Sequence, residues 1–463
     1  MKQNSRSAIT YILMMLIFGT LIYFAIKEGD RFLSHTNNIG SVKDGTSSFI
    51  MFAESIKQNV GHHLSTLLIQ IIVILVTVKI FGFLFKYIGQ PSVIGEIVAG
   101  IVLGPSLLGH FFPDTFNFVF PSDSLTNLGL LSQIGLVLYM FAIGMELDFN
   151  ILKTKINQTL IISHAGIVVP FFLGIMASYF IYEEYAAQNT SFLPFALFIG
   201  ISMSITAFPV LARIIQERNM TKTSLGTLTI ASAANDDVTA WCLLAIVIAI
   251  AQAGTFTSAL YSIFLAAVYI VAMFTIVRPL LKKIGETYIN TDKINKTSVS
   301  FIFLVLVISA TITEIIGIHA LFGAFMAGVI MPPNFGFRKI MIEKVEDIAL
   351  TFFLPLFFAF TGLRTEIGLL NNIEMWLVCL MLVIVAIAGK LGGCTIAARL
   401  GGESWRDSLT IGTLMNTRGL MELIALNIGY EMGILPPSVF VILVIMALVT
   451  TFMTTPILRL IKR

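Results

Sequence analysis

Charge is what this sequence has least of. Only 12% of its 463 residues are Asp, Glu, Lys or Arg, against 57% hydrophobic, and the mean hydropathy is +0.91. A chain of this size folded in water would need far more polar surface, so a polytopic membrane protein is expected rather than a soluble one. Cysteine is also scarce. Cys242, Cys379 and Cys394 all fall in apolar runs without ligand-like spacing, which excludes a disulfide framework. The net charge of +3 is small, and neither a nucleic-acid partner nor a cofactor is expected.

What the chain has in quantity is apolar runs of about 20 residues, each long enough to cross a hydrocarbon core of roughly 30 Å. They are too long for barrel strands, and backbone groups in lipid must be satisfied internally, so they are helices. We read fourteen spans, starting near Ala8, Leu64, Ser92, Leu128, Gln158, Ser191, Ser224, Thr257, Thr297, His319, Glu346, Ile373, Arg406 and Pro437. This alternation leaves Lys27, Arg31, Lys43, Lys57 and Arg364 on one side and Lys79, Lys390 and Arg418 within spans. The rest of the 29 lysines and arginines fall on the side of the amino terminus. By the positive-inside rule that side is the cytoplasm, and both termini are expected there.

Residues Met1 to Arg6 and the apolar run to Ile26 could be a signal peptide, but no small-residue cleavage site follows before Lys27, which favours an uncleaved anchor. Residues 27–63 read as an extracytoplasmic loop of mixed charge. No soluble domain is expected after the last span, and hence no nucleotide-binding regulatory domain in this chain.

Three motifs recur seven spans apart. "PSVIGEIVAGIVLGPSLLG" answers to "HALFGAFMAGVIMP", "LYMFAIGMELD" to "LFFAFTGLRTE", and "ISMSITAFPVLARIIQE" to "LMNTRGLMELIALNIG". Seven is odd, so the copies cross in opposite senses, an arrangement that marks secondary transporters. The expected organisation is an anchor and loop over 1–63 and a transport domain over 64–463. The latter divides into repeat one (64–253), a linker helix (257–281) and repeat two (297–461). Within the third pair, Pro209 interrupts one span, while Asn416, Thr417, Arg418, Gly419 and Glu422 bring polarity into the other. Polar, discontinuous helices at matching positions point to a transporter's binding site.

"SAANDDVTAW" places Asp236 and Asp237 near the middle of a span, where a carboxylate costs roughly 2.5–3.5 kcal/mol. Successive helical residues point about 100° apart, so the two cannot share a proton and must face different neighbours. Lys390 lies too deep to snorkel, and pairing with Asp236 or Asp237 is the economical solution. Arg418 and Glu422 are spaced to pair along one helix face, either to steady the broken helix or to take part in ion handling. Ser204 and Thr206 could offer oxygens to a small cation or merely pack. Glu96 reads as a cap or the lining of an access funnel, Lys79 as structural, and His164 and His319 as packing or hydrogen-bonding residues near helix ends.

At these residues the chain resembles the monovalent cation:proton antiporters, close to the branch of the plant cation/proton exchangers and their bacterial relatives. The resemblance runs from about residue 62 to the carboxyl terminus. It rests on "QPSVIGEIVAGIVLGPSLLG", "SMSITAFPVLARI", "DDVTAWCLLA", "IHALFGAFMAGVI" and "NTRGLMELIALNIG". It implies an all-α fold of about 13 antiporter helices in two inverted repeats with crossed broken helices, here with one extra N-terminal transmembrane helix. It also implies a homodimer in the bilayer of a bacterial inner membrane, not an enzyme. Asp237 resembles the family's ion- and proton-binding aspartate, Asp236 its neighbour, and Lys390 the buried lysine that pairs with that neighbour. Thr206 falls in the break of the first crossed helix, beside Ser204, and the second break is lined by Asn416, Thr417 and Arg418. Asp237 and Thr206 would hold the transported cation. An Asp-Asp pair with a lysine is associated with electrogenic exchange and Asn-Asp with electroneutral exchange. The string Asn235-Asp236-Asp237 admits both registers, and the following "VTAW" favours the first.

The function expected is therefore exchange of sodium or potassium for protons by alternating access, one aspartate holding either ion in competition. A sodium-coupled solute symporter of related fold is the alternative. An intramembrane aspartyl protease would need its aspartates on facing helices, and a channel would present rings of carbonyls or acids from several subunits.

Overall fold

The computed structural model describes residues 2–33, 48–146, 156–188, 190–218, 220, 223–253, 256–283, 296–332 and 335–462. Of the basic residues used to orient the chain, Lys43, Lys153, Lys155, Lys222, Lys293 and Arg463 lie outside them. The regular structure of the described residues is all helical, and the chain divides into two compact units, Met1–His62 and His63–Arg463.

The first unit holds a helix over Lys2–Leu33, apolar enough to span between Tyr11 and Glu28, and a second helix over Ser48–Val60. Residues 27–63 are thus not simply a loop. Phe49, Phe52, Ile56 and Val60 recur at helical spacing, a pattern that the interspersed Glu54 and Lys57 conceal from a hydropathy reading.

Among the described residues, ten further helices in the second unit are long and apolar enough to cross a membrane, so the protein is integral to the membrane. Of the other sequence-read spans, those near Ser191 and His319 fall on shorter apolar helices, Phe192–Ser204 and Ala320–Val329. The one near Arg406 falls on Trp405–Met415. Two boundaries differ from the sequence reading: the helices assigned to Leu128 and Glu346 begin earlier, at Ser122 and Phe335. Hydropathy marks the part of a helix that needs lipid, whereas helical hydrogen bonding continues through "SDSLTN" and "FGFRKIMIEKVE". Outward side chains are large and apolar, such as Phe83, Phe180, Phe264 and Ile315, as a lipid-facing surface requires.

Two tight crossings hold the unit together. Gly100, on Ser92–Leu103, meets Gly362, on Leu354–Leu363: a Cβ on Gly100 would sit 2.3 Å from Ala359 O, and one on Gly362 2.6 Å from Gly100 Cα. Gly144, on Ser122–Glu146, meets Gly328, on Ala320–Val329, where added carbons would lie 2.2 Å from Phe325 O and from Phe141 O. Association in lipid rests on such close backbone approach. The four glycines come from the paired motifs "EIVAG" and "FMAG", "FAIG" and "AFTG".

Candidate functional site

Two helices stop and restart within the second unit. The first runs Phe192–Ser204, passes through extended residues at Ile205–Ala207, and resumes over Phe208–Glu217. Pro209 lies in the first turn of the resumed half, where its missing N–H is an orphan in any case. The break therefore precedes the proline rather than centring on it. The second helix runs Trp405–Met415, opens at Asn416–Gly419 and resumes over Leu420–Glu431. The breaks cross and touch: Ala207 N–H donates to Thr417 O at 2.9 Å, and Thr206 Oγ1 donates to Met415 O at 3.2 Å.

Breaking a helix leaves orphan carbonyls at one end and orphan N–H groups at the other, with partial charges of opposite sign. The first broken helix meets each with its complement. At its carbonyl end, Arg418 donates to Ser202 O and to Met203 O (2.7 Å), and Lys390 donates to Ser204 O. At its N–H end, the backbone N–H of Phe208 faces the carboxylate of Asp237. Arg418 and Glu422 do lie 3.3 Å apart, both fully buried. The carbonyls, which no residue spacing announces, are the nearer partners of Arg418.

The helix Ser224–Ala253 turns three consecutive side chains to three different neighbours. Asn235 donates from Nδ2 to Ser163 Oγ at 2.9 Å. Asp236 Oδ2 accepts from Lys390 Nζ at 2.9 Å, with neither side chain exposed. Asp237 is buried at the first break, and its Oδ1 has no hydrogen-bond partner within the protein. Asn416 Oδ1 and Thr417 Oγ1 in the second break are likewise buried without one. Ser204 Oγ is committed to Ile167 O (3.0 Å) and Gly200 O (2.8 Å), so its hydroxyl proton is used in packing.

The sequence reading missed two features, Trp241 and the Arg364 cluster. Trp241, one turn beyond Asp237, is buried with its indole N–H unpartnered and stacks on Phe325 at 6.2 Å. His319 has φ +74°, and its Nδ1 accepts from Leu321 N–H, so of its two expected roles it takes hydrogen bonding, as the cap of Ala320–Val329. Arg364 donates to Glu431 (2.8 Å) and Asn427 (3.2 Å) while lying over the Phe360 ring. Gln133 bonds the other Glu431 oxygen at 3.0 Å, which ties three helices together at one end. Glu96 is half-buried on Ser92–Leu103.

Half-helices crossing at buried charges, in a bundle of membrane-spanning helices, are the architecture of a secondary transporter rather than an enzyme. The chain belongs to the sodium/hydrogen exchanger transmembrane family, whose profile matches residues 71–460. It is 44% identical over 392 residues to the Na(+)/H(+) antiporter NhaS4 of Synechocystis, covering 84% of this chain and 96% of that one. It is 39% identical over 397 residues to Cation/H(+) antiporter 17 of Arabidopsis thaliana, 86% of this chain but 48% of the plant protein. The chain thus spans about half the length of that plant relative. The sodium proton antiporter MjNhaP1 of Methanocaldococcus jannaschii shares its fold, with a TM-score of 0.62 at 17% identity. That match covers 86% of this chain and 96% of that one.

Proposed function

We propose that this protein exchanges sodium or potassium for protons by alternating access, with Asp237 holding cation and proton in turn. The observation that carries the reading is the difference between adjacent carboxylates. Asp236 is committed to Lys390, whereas Asp237 is buried beside two helix breaks with one oxygen unpartnered. Desolvation and a nearby positive helix end act on such a carboxyl in opposite senses, and a group so balanced can trade a proton for a metal ion. Thr206, Asn416 and Thr417 supply further oxygens at the crossing, and the transported ion is cargo rather than a resident metal. The glycine crossings occur in matching motifs of the two halves, which supports reading the domain as an inverted repeat that rocks about this site. We further read the protein as a homodimer of the bacterial inner membrane, both termini cytoplasmic, moving net charge in each cycle. Solute symport is not favoured, since the relatives compared are antiporters by name.

The test is proton flux in proteoliposomes driven by sodium or potassium gradients. Wild-type protein should acidify or alkalinise the lumen according to the gradient's direction, and Asp237→Asn should abolish the signal. Undiminished flux in that variant would refute the assignment.

A further inference from the structure

We propose that Pro170, on a helix outside both broken segments, is a positioning residue: by withholding one N–H it frees the carbonyl that fixes Lys390 on Asp236 and away from Asp237. The inference rests on the exchange reading above and adds a residue to it.

The helix Ile156–Tyr185 runs through Pro170 without ending. Proline lacks the N–H that would bond the carbonyl four residues earlier, and its ring presses on that carbonyl. The carbonyl so released is Gly166 O, and it accepts from Lys390 Nζ at 2.7 Å. The next carbonyl along the helix, Ile167 O, accepts from Ser204 Oγ at 3.0 Å. A lysine ammonium has three protons. Those of Lys390 go to Gly166 O, to Ser204 O and to Asp236 Oδ2. Two of the three acceptors thus exist because a helix is interrupted, one by Pro170 and one by the end of Phe192–Ser204.

The fit around this socket is close. Lys390 stands in a π-helical turn, Ala388–Gly392, of the kind found at functional sites. A Cβ on Gly389 would lie 2.8 Å from Pro170 Cα, so the π turn rests directly on the proline. A Cβ on Gly166 would lie 2.7 Å from Cys394 Sγ and 3.7 Å from Lys390 Nζ. The ammonium has no slack while all three acceptors are in place.

An alanine at 170 supplies the missing N–H, which closes the helical hydrogen bond to Gly166 O. Lys390 then loses an acceptor, and its ammonium gains freedom to move toward Asp237, a nearby carboxylate without an ion-pair partner among the described residues. A lysine that visits Asp237 competes with the transported cation as an internal substitute for it. The effect falls on cation affinity rather than on the rate of the conformational step.

The experiment is cation-driven proton flux in proteoliposomes over a range of sodium and potassium concentrations. Pro170→Ala should raise the KM for the cation about tenfold, equivalent to about 1.4 kcal/mol, with Vmax changed less than twofold. Replacing Pro170 by an α-hydroxy acid, which has neither ring nor N–H, should return KM to within about twofold of wild type. Should Pro170→Ala fail to fold, Gly389→Ala keeps the proline but pushes the π turn off it, and the same rise in KM is expected. Pro456→Ala is the control. Pro456 likewise sits four residues after a freed carbonyl, Phe452 O, but that one accepts from neutral Gln90 at 3.3 Å, and KM should not move. The inference is overturned if Pro170→Ala or Gly389→Ala transports with wild-type KM, or if the α-hydroxy variant behaves like Pro170→Ala. Failure of the exchange reading itself would be seen separately, as undiminished flux in Asp237→Asn.

Discussion

Replacing Lys390 by methionine tests the electrostatics of the site most directly. The ammonium has no solvent exposure, and its acceptors are Asp236 Oδ2 at 2.9 Å, Gly166 O at 2.7 Å and Ser204 O. Its removal leaves Asp236 a buried carboxylate without a counter-ion, and Asp236 Oδ1 already accepts no hydrogen bond. Breaking a buried pair in this way costs about 3–5 kcal/mol. The two carbonyls lose a donor as well, at about 1–3 kcal/mol each. Asp236→Asn is gentler, because Lys390 keeps both carbonyls. The double variant Asp236→Asn/Lys390→Met removes the stranded charge and should recover about 3–5 kcal/mol relative to Lys390→Met alone, while still lacking the two donors. Stability should therefore fall in the order wild type, Asp236→Asn, and Lys390→Met last, with the double variant more stable than Lys390→Met. Unfolding of purified protein in mixed detergent micelles, combined as a double-mutant cycle, reads this order and the coupling. Equal stability of Lys390→Met and the double variant would refute the reasoning.

At the glycine crossings, Gly144→Ala and Gly328→Ala each bring a carbon to 2.2 Å from a backbone oxygen that cannot rotate away. Each should lose about 1–3 kcal/mol or more from overpacking, measured as folded yield and unfolding midpoint. Gly368→Ala, with nothing within 4 Å of its added carbon, should be neutral, and equal behaviour of all three would contradict the packing described. If proton and cation compete for Asp237, the apparent KM for the cation rises about tenfold per pH unit on the acid side while Vmax stays constant. A pH-independent KM measured over two or three units of acidification would rule the competition out.

The sequence makes legible those features that the bilayer itself penalises. A lysine at membrane depth must find a carboxylate, and two adjacent aspartates on a helix must face apart. Both statements follow from energies and helical geometry before any coordinate is known. The acceptors that complete the site are not legible in this way. Gly166 O and Ser204 O are backbone atoms, available because of a proline on one helix and a helix end on another, and no side-chain pattern near Lys390 announces them. Arg418 shows the same limit: its spacing to Glu422 is visible in one line of sequence, but its contacts with Ser202 O and Met203 O depend on how the two breaks cross. Helix starts at Ser122 and Phe335 were hidden for a different reason, since polar residues extend a helix past the lipid without any change in its hydrogen bonding. The partner of Asn235, Ser163, is likewise visible only in the packing.

The π turn at Ala388–Gly392 has a consequence for how the chain can vary in length. A π turn is an α-helix carrying one residue too many. Deleting one residue between 388 and 392 would regularise the hydrogen bonds, the rare case of a deletion that improves local helix geometry. The wide turn absorbs that extra residue, so the flanking α-helical segments would keep their phase, and the deletion would cost only the setting of the residues inside the turn. Lys390, which reaches Gly166 O from within the turn, would be displaced from its acceptor, while Cys394 on the regular helix beyond kept its contact with Gly166. The helix is locally imperfect so that one side chain can be set apart from the regular frame of its neighbours. Length changes should therefore be tolerated at the turn Gly401–Gly402 beyond the helix and rejected within it, even when they make the helix more regular.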